Sequence, residues 1–110
     1  MQANLQQTKI GRLTLIITRV ADMYFFALKR IDMQEVARDS KRSIDDYKLY
    51  VVRVRRAFNR LASVEQKCIN NDFFYQDYPN WWKKKYSRSS YYRLRKRSMI
   101  NFKEALEHEF

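Results

Sequence analysis

Glycine and proline occur once each in these 110 residues, as Gly11 and Pro79. A sheet-rich fold joined by tight turns needs more of both, since glycine supplies positive φ and proline a preset φ. Cysteine also occurs once. Cys68 has no partner for an intrachain disulfide and no companions for a cysteine-based zinc site. It reads as a buried structural thiol, and a reducing, cytoplasmic compartment fits. The single histidine, His108, stands between Glu107 and Glu109 and reads as exposed. No His, Cys and acid set has metal-ligand spacing, no glycine-rich loop can cradle phosphate, and no nucleophile has a base beside it. Asp45, Asp46, Asp72 and Asp77 read as capping carboxylates. No enzyme, cofactor or metal is expected. Long apolar runs are missing too. Leu13 to Val36 is interrupted by Arg19, Asp22, Lys29, Arg30, Asp32 and Glu35, and it cannot span a bilayer. The opening MQANLQQTKIGRLTLIITRV has no small-residue cleavage site, so neither a signal peptide nor a membrane partner is expected.

What the chain does have is base. The net charge is +11 and the pI about 10.0, while a 45% apolar fraction is ordinary for a folded chain. Clustered positive charge is the footprint of a polyanion binder. From Lys83 to Arg97 there are eight Lys or Arg and no acid. Ser87 is a good N-cap for a helix over this stretch, which runs to about Glu107. Tyr91, Leu94, Ser98, Phe102 and Ala105 recur at steps of three and four, forming one stripe that can pack. Arg88, Ser89, Tyr92, Arg93 and Lys96 form another face, of cations, a hydroxyl and a phenol. A helix that packs on one side and carries acid-free base on the other has the form of a major-groove reader.

Upstream, residues 1–10 are polar and expected to be frayed. Leu13, Ile16, Val20, Met23, Ala27 and Ile31 predict a helix over residues 11–37. Phe25 and Phe26 cannot share one narrow seam, so this helix should touch more than one neighbour. Asp39 to Arg42 reads as a turn. Ser43, paired with Asp46, should cap a second helix, with Asp45 and Asp46 meeting the positive end of its dipole. Its apolar series Ile44, Tyr47, Val51, Val54, Phe58, Leu61 steps 3, 4, 3, 4, 3. That is a seam for one partner helix, either in the same chain or in a second copy as a homodimer. Arg53, Arg55, Arg56 and Arg60 lie off it as a second basic patch. Ser63 with Gln66 should cap a short helix to about Phe74, with Val64, Cys68, Ile69 and Phe73 inside. Pro79 can open another short helix to about Lys85, in which at most one of Trp81 and Trp82 would sit centrally.

The expected architecture is all-α: a tail over 1–10, a helical hairpin over 11–62, and a helix-turn-helix over 63–110. The segment Leu61 to Ala105 resembles region 4 of bacterial sigma factors, and more closely the ArpU-type transcriptional regulators of phages and Gram-positive bacteria. Similar small proteins occur in mollicutes. The likeness rests on LASVEQKCI, similar to the first helix of those domains, and on YSRSSYYRLRKRSMINF, similar to their recognition segment. It covers about 45 residues. The resemblance implies a DNA-binding transcription regulator, in a sigma-like variant bound to RNA polymerase through the hairpin. Carried over by position, Arg88, Ser89 and Arg93 would read base edges, Tyr92 and Lys96 would lie on the DNA backbone, and Ser87 would cap the helix and touch a phosphate. Independently, Lys83, Lys84, Lys85, Arg95 and Arg97 are placed to neutralise flanking phosphates. Where those families place small residues and often glycine, this chain has PNWWKKK, so the supporting helix should be shorter or cross differently.

Two readings compete. Tyr75, Tyr78, Trp81, Trp82, Tyr86, Tyr91 and Tyr92 among cations would suit an RNA-binding or ribosome-associated protein that stacks unpaired bases. A structural adaptor joined through the 44–61 seam is the other.

Overall fold

A computed structural model describes residues 2–33 and 41–110, with side chains over 9–33 and 43–110. It is all-helical, and no strand occurs among the described residues. In chain order the elements are α1 (Gln2–Asp32), α2 (Lys41–Asn59), α3 (Ser63–Ile69), a π-helical turn (Asn70–Phe74) and α4 (Arg88–Glu109).

Several boundaries differ from expectation. Helix α1 begins at Gln2, not residue 11. Residues 2–10 contain no breaker and are rich in Gln, Ala, Leu and Lys, which hold a helix without an apolar stripe. The expected continuation to residue 37 and the turn at Asp39–Ser40 lie outside the described residues. Helix α2 already includes Lys41 and Arg42, so Ser43 falls inside its first turn and Asp45 and Asp46 lie beyond it. Helix α3 is capped at Ala62, whose backbone is extended (φ −62°, ψ 153°). Its N–H is taken by Glu65 Oε1 at 3.1 Å, while Gln66 turns back to donate to the Phe58 carbonyl at 3.2 Å. Ser63 is therefore the first helical residue. A carboxylate three residues after the cap serves its exposed N–H better than the amide one position later.

The core lies where α1, α2 and α4 meet. Phe102 is fully buried at its centre, edge-on to Phe58 at 6.4 Å and to Phe74 at 6.1 Å. Ile17, Tyr24 and Ala27 enter from α1, and Val51, Val54 and Ala57 from α2. The 44–61 seam is occupied from within the chain: Ile44, Val51, Val54 and Leu61 are buried, and Tyr47 and Phe58 are partly so. As expected, α1 meets two neighbours. Phe26 contacts Tyr47 of α2 at 5.9 Å, and Phe25 contacts Phe74 of the π turn at 6.0 Å. Tyr50 donates to the Val20 carbonyl at 3.3 Å, closing α2 onto α1.

Residues 75–87 hold no helix. Trp81 donates from its backbone to the Tyr78 carbonyl, Lys83 to Asn80 and Lys85 to Trp82, a run of tight turns. The cause is the tryptophan pair. In an α-helix adjacent side chains diverge by roughly 100°. Here both rings reach Tyr91: Trp82 stacks on it at 4.3 Å and 7°, and Trp81 meets its edge at 6.0 Å. The turns bring both successive rings onto the same side, against Tyr91.

Candidate nucleic-acid interface

Helix α4 starts as its sequence dictates. Ser87 is extended (φ −66°, ψ 163°), and its Oγ accepts the Ser90 N–H at 3.2 Å. Tyr91, Leu94, Ser98, Phe102 and Ala105 are all buried, joined by Met99 and Leu106. Ser98 satisfies its hydroxyl by donating to the Leu94 carbonyl at 2.7 Å, which is why a serine is tolerated in the stripe.

The opposite face is open. Arg88, Ser89, Tyr92, Arg93 and Lys96 are exposed, as are Ser87 and Lys83, Lys84 and Lys85 in the preceding turns. Among the described residues no carboxylate pairs with Arg88, Arg93, Lys96 or the three lysines. A row of unneutralised cations on one regular helix raises the local positive potential, which attracts anions and also keeps the surface solvated.

Two arginines in the run behave otherwise. Arg95, expected to meet phosphate, turns inward, with Nε 3.3 Å from Asp72 Oδ2 and the guanidinium over the Phe73 ring at 4.9 Å. It is a fastener of the fold. Arg97 pairs through Nε with Glu65 Oε2 at 3.4 Å, yet its side chain stays 61% exposed. It is anchored at one edge and still reaches solvent.

The anchors of α4 are two acids. Glu65 is buried on α3 and takes the Ala62 N–H, Asn101 Nδ2 at 2.6 Å and Arg97. Asp72, on the π turn, takes Trp81 Nε1 at 2.9 Å, the Tyr91 hydroxyl, the Cys68 thiol at 3.8 Å and Arg95. Asp72 is therefore no helix cap; it joins three segments. Burial pushes the Tyr91 phenol well above its ordinary value, and the Asp72 carboxylate adds to this by accepting its proton and by its charge. Burial likewise pushes the Cys68 thiol up to about 12, with the charge of Asp72 adding to it. As expected, the thiol is buried. The sequence carries a local hint only of the inward direction of Asp72, not of its partners. Asp72 stands three and four residues after the inward-facing Ile69 and Cys68, on the same side of the turn.

Lys9 and Arg12 extend the basic surface onto α1, an addition that the sequence did not suggest. With Lys96, Lys103 and Glu104 of α4 they line a groove together with Ile10, Leu13, Ile16 and Ile100, and Lys103 pairs with Glu107 at 3.1 Å. The second patch is mostly spent internally. Arg53 lies over the Phe110 ring at 5.3 Å, Arg55 donates to the Tyr24 hydroxyl at 3.0 Å and Arg60 pairs with Glu109 at 3.1 Å. Arg56 is exposed.

Comparison with protein-family models, curated proteins and solved structures finds no match to this chain. Among the described residues no group of His, Cys, Asp and Glu could hold a metal ion, and no helix is long and apolar enough to cross a membrane.

Proposed function

We propose that the protein is a sequence-specific DNA-binding transcription regulator that lays α4 in the major groove. Arg88, Ser89 and Arg93 read base edges, because they stand in the first two turns of the helix, the part that enters a groove most deeply. Arginine suits the task through its planar fork, which bonds guanine at two points. Lys83, Lys84, Lys85, Ser87, Tyr92, Lys96 and Arg97 hold the phosphate backbone, and Lys9 and Arg12 lengthen the contact from α1.

One observation carries this reading. Arg88, Arg93 and Lys96 are exposed, and unpaired among the described residues, on a helix whose other side is fixed in the core. The backbone at these positions is already ordered, so binding has only the side chains left to immobilise. The support comes from α3 and the clasped turns rather than from a second full helix beside α4. In the sigma-like form of this proposal, the α1–α2 hairpin engages RNA polymerase.

The aromatic residues weigh against single-stranded RNA. Trp81, Trp82, Tyr86 and Tyr91 pack on one another, so those rings are already spent. Tyr75, Tyr78 and Tyr92 keep exposed rings.

Selection from a random pool of duplexes, followed by sequencing, tests the proposal. It should enrich a single half-site, since the 44–61 seam is filled within one chain. Failure to enrich any motif would remove the base-reading role. Retention of polymerase by the protein from nuclease-treated extract would support the sigma-like form, and its absence would remove that form alone.

A further inference from the structure

Between α1, α2 and the π turn lies a second concavity, of about 220 Å³, to which α4 contributes no lining residue. Its walls are mostly aromatic, Tyr24, Phe58, Phe74 and Tyr75, with Val54 beside them. Its polar groups are few and converge on the same space: Arg55, Asn59 and Asn70. Arg55 uses Nε on the Tyr24 hydroxyl at 3.0 Å and lies over that ring at 5.8 Å. Among the described residues no carboxylate pairs with it.

We propose that this cavity binds a small aromatic carboxylate. An apolar cavity of about 150 Å³ is enough to take up one benzene ring, so the volume here suits one ring with a short acidic substituent. The ring would enter between Phe58 and Phe74, where edge contacts to aromatic neighbours are favourable. The carboxylate would meet the terminal nitrogens of Arg55, held in place by the bond from Nε to Tyr24. A planar guanidinium bonds a carboxylate at two points, and a charge-assisted pair is about twice as strong as a neutral one. The amides of Asn59 and Asn70 stand at the same opening to take a ring hydroxyl or the second carboxylate oxygen. The π turn gives the site its shape. The rare π turns of proteins are frequently found at functional sites, and here the turn places Asn70 and Phe74 on one wall, closed by the Tyr75 N–H bond to the Asn70 carbonyl at 2.8 Å.

The test is titration of the whole chain with benzoate, 4-hydroxybenzoate and phenylacetate, followed by amide chemical shifts. Benzamide and cyclohexanecarboxylate serve as neutral and non-aromatic controls. At least one of the three acids should bind saturably, with the largest shifts at Asn59, Asn70 and Phe74, and exceed both controls by about tenfold or more. Arg55→Gln loses its contacts to Tyr24 and some stability with them, but should keep the parental amide spectrum away from the cavity while abolishing the preference of acid over amide. Asn59→Trp should block all of the probes. The proposal is overturned if no acid saturates, if benzoate and benzamide bind alike, or if Arg55→Gln keeps the preference. Binding that shifts Arg88, Arg93 and Lys96 instead would assign the acid to the basic face, and it too would overturn the proposal. None of these outcomes depends on whether the protein binds DNA.

Discussion

The hydroxyl of Tyr91 donates to the carboxylate of Asp72, across nineteen residues of chain and from one helical segment to another. This bond couples the π turn to the first turn of the basic helix. Trp81 and Arg95 converge on the same carboxylate, so one acid sets the position of α4 and closes the turns that carry Lys83 to Lys85. Removal of that acid leaves a cation and three donors, Trp81, Tyr91 and Cys68, without their acceptor. Asp72→Ala should destabilise the fold by about 2–4 kcal/mol, since breaking a mostly buried pair strands its partners. Urea unfolding measures this, and a loss below about 0.5 kcal/mol, the size of a typical surface change, would contradict it.

Glu65 makes the matching connection from α3. Glu65→Ala removes the acceptor of the Ala62 N–H, of Asn101 and of Arg97 together. The expected loss is about 1–3 kcal/mol, the range for an unsatisfied cap and buried hydrogen bonds. Glu65→Gln should recover part of it, because an amide oxygen still accepts from Ala62 and Asn101. Thermal unfolding of the two variants side by side decides the matter.

Stability should fall in alkali with a particular sign. The thiol of Cys68 and the phenol of Tyr91 are both raised above their ordinary values of 9.0 and 10.0. The folded state therefore keeps protons that the unfolded state releases. The contribution is complete below about pH 9 and drains away as pH climbs from there toward the folded values, at up to about 1.4 kcal/mol per pH unit for each group. Urea midpoints between pH 7 and pH 11 should be flat and then descend. Cys68→Ser should remove the part of the descent that begins near pH 9.

The arginines of α4 should separate by role. Arg88→Ala should relax base choice at a cost of about 1–3 kcal/mol in binding. Lys84→Ala should weaken every duplex alike. Arg95→Ala should act on stability, because its guanidinium is held by Asp72 and Phe73. Binding assays on folded protein and unfolding curves together tell these cases apart, and an Arg95→Ala protein of parental stability would contradict the assignment.

Periodicity alone located the buried stripe of α4, its Ser87 cap and the α2 seam, since each is a local pattern of apolar steps or one side chain beside one backbone N–H. The sequence could not resolve interactions whose partners lie far apart in the chain. Asp72 looked like a cap because its donors at positions 81, 91 and 95 come from two other segments. Arg95 looked like its neighbours because spacing on one helix does not reveal which cation faces a buried acid. Trp81 and Trp82 looked like helix residues until Tyr91 supplied a ring for both to hold. At the other end, α1 reached back to Gln2 because helix-forming residues need no apolar pattern to continue an existing helix.

The most direct measurement is the affinity of the protein for a duplex as a function of salt, for the parent and for a triple variant with Arg88, Arg93 and Lys96 all changed to Ala. If α4 meets DNA as proposed, log affinity falls linearly with log salt, with a slope of about −0.9 for each phosphate neutralised. The triple variant should stay folded, because those side chains are exposed and pair with no carboxylate among the described residues, and its slope should be shallower. A slope near zero in the parent, or one that the triple variant leaves unchanged, would contradict the account.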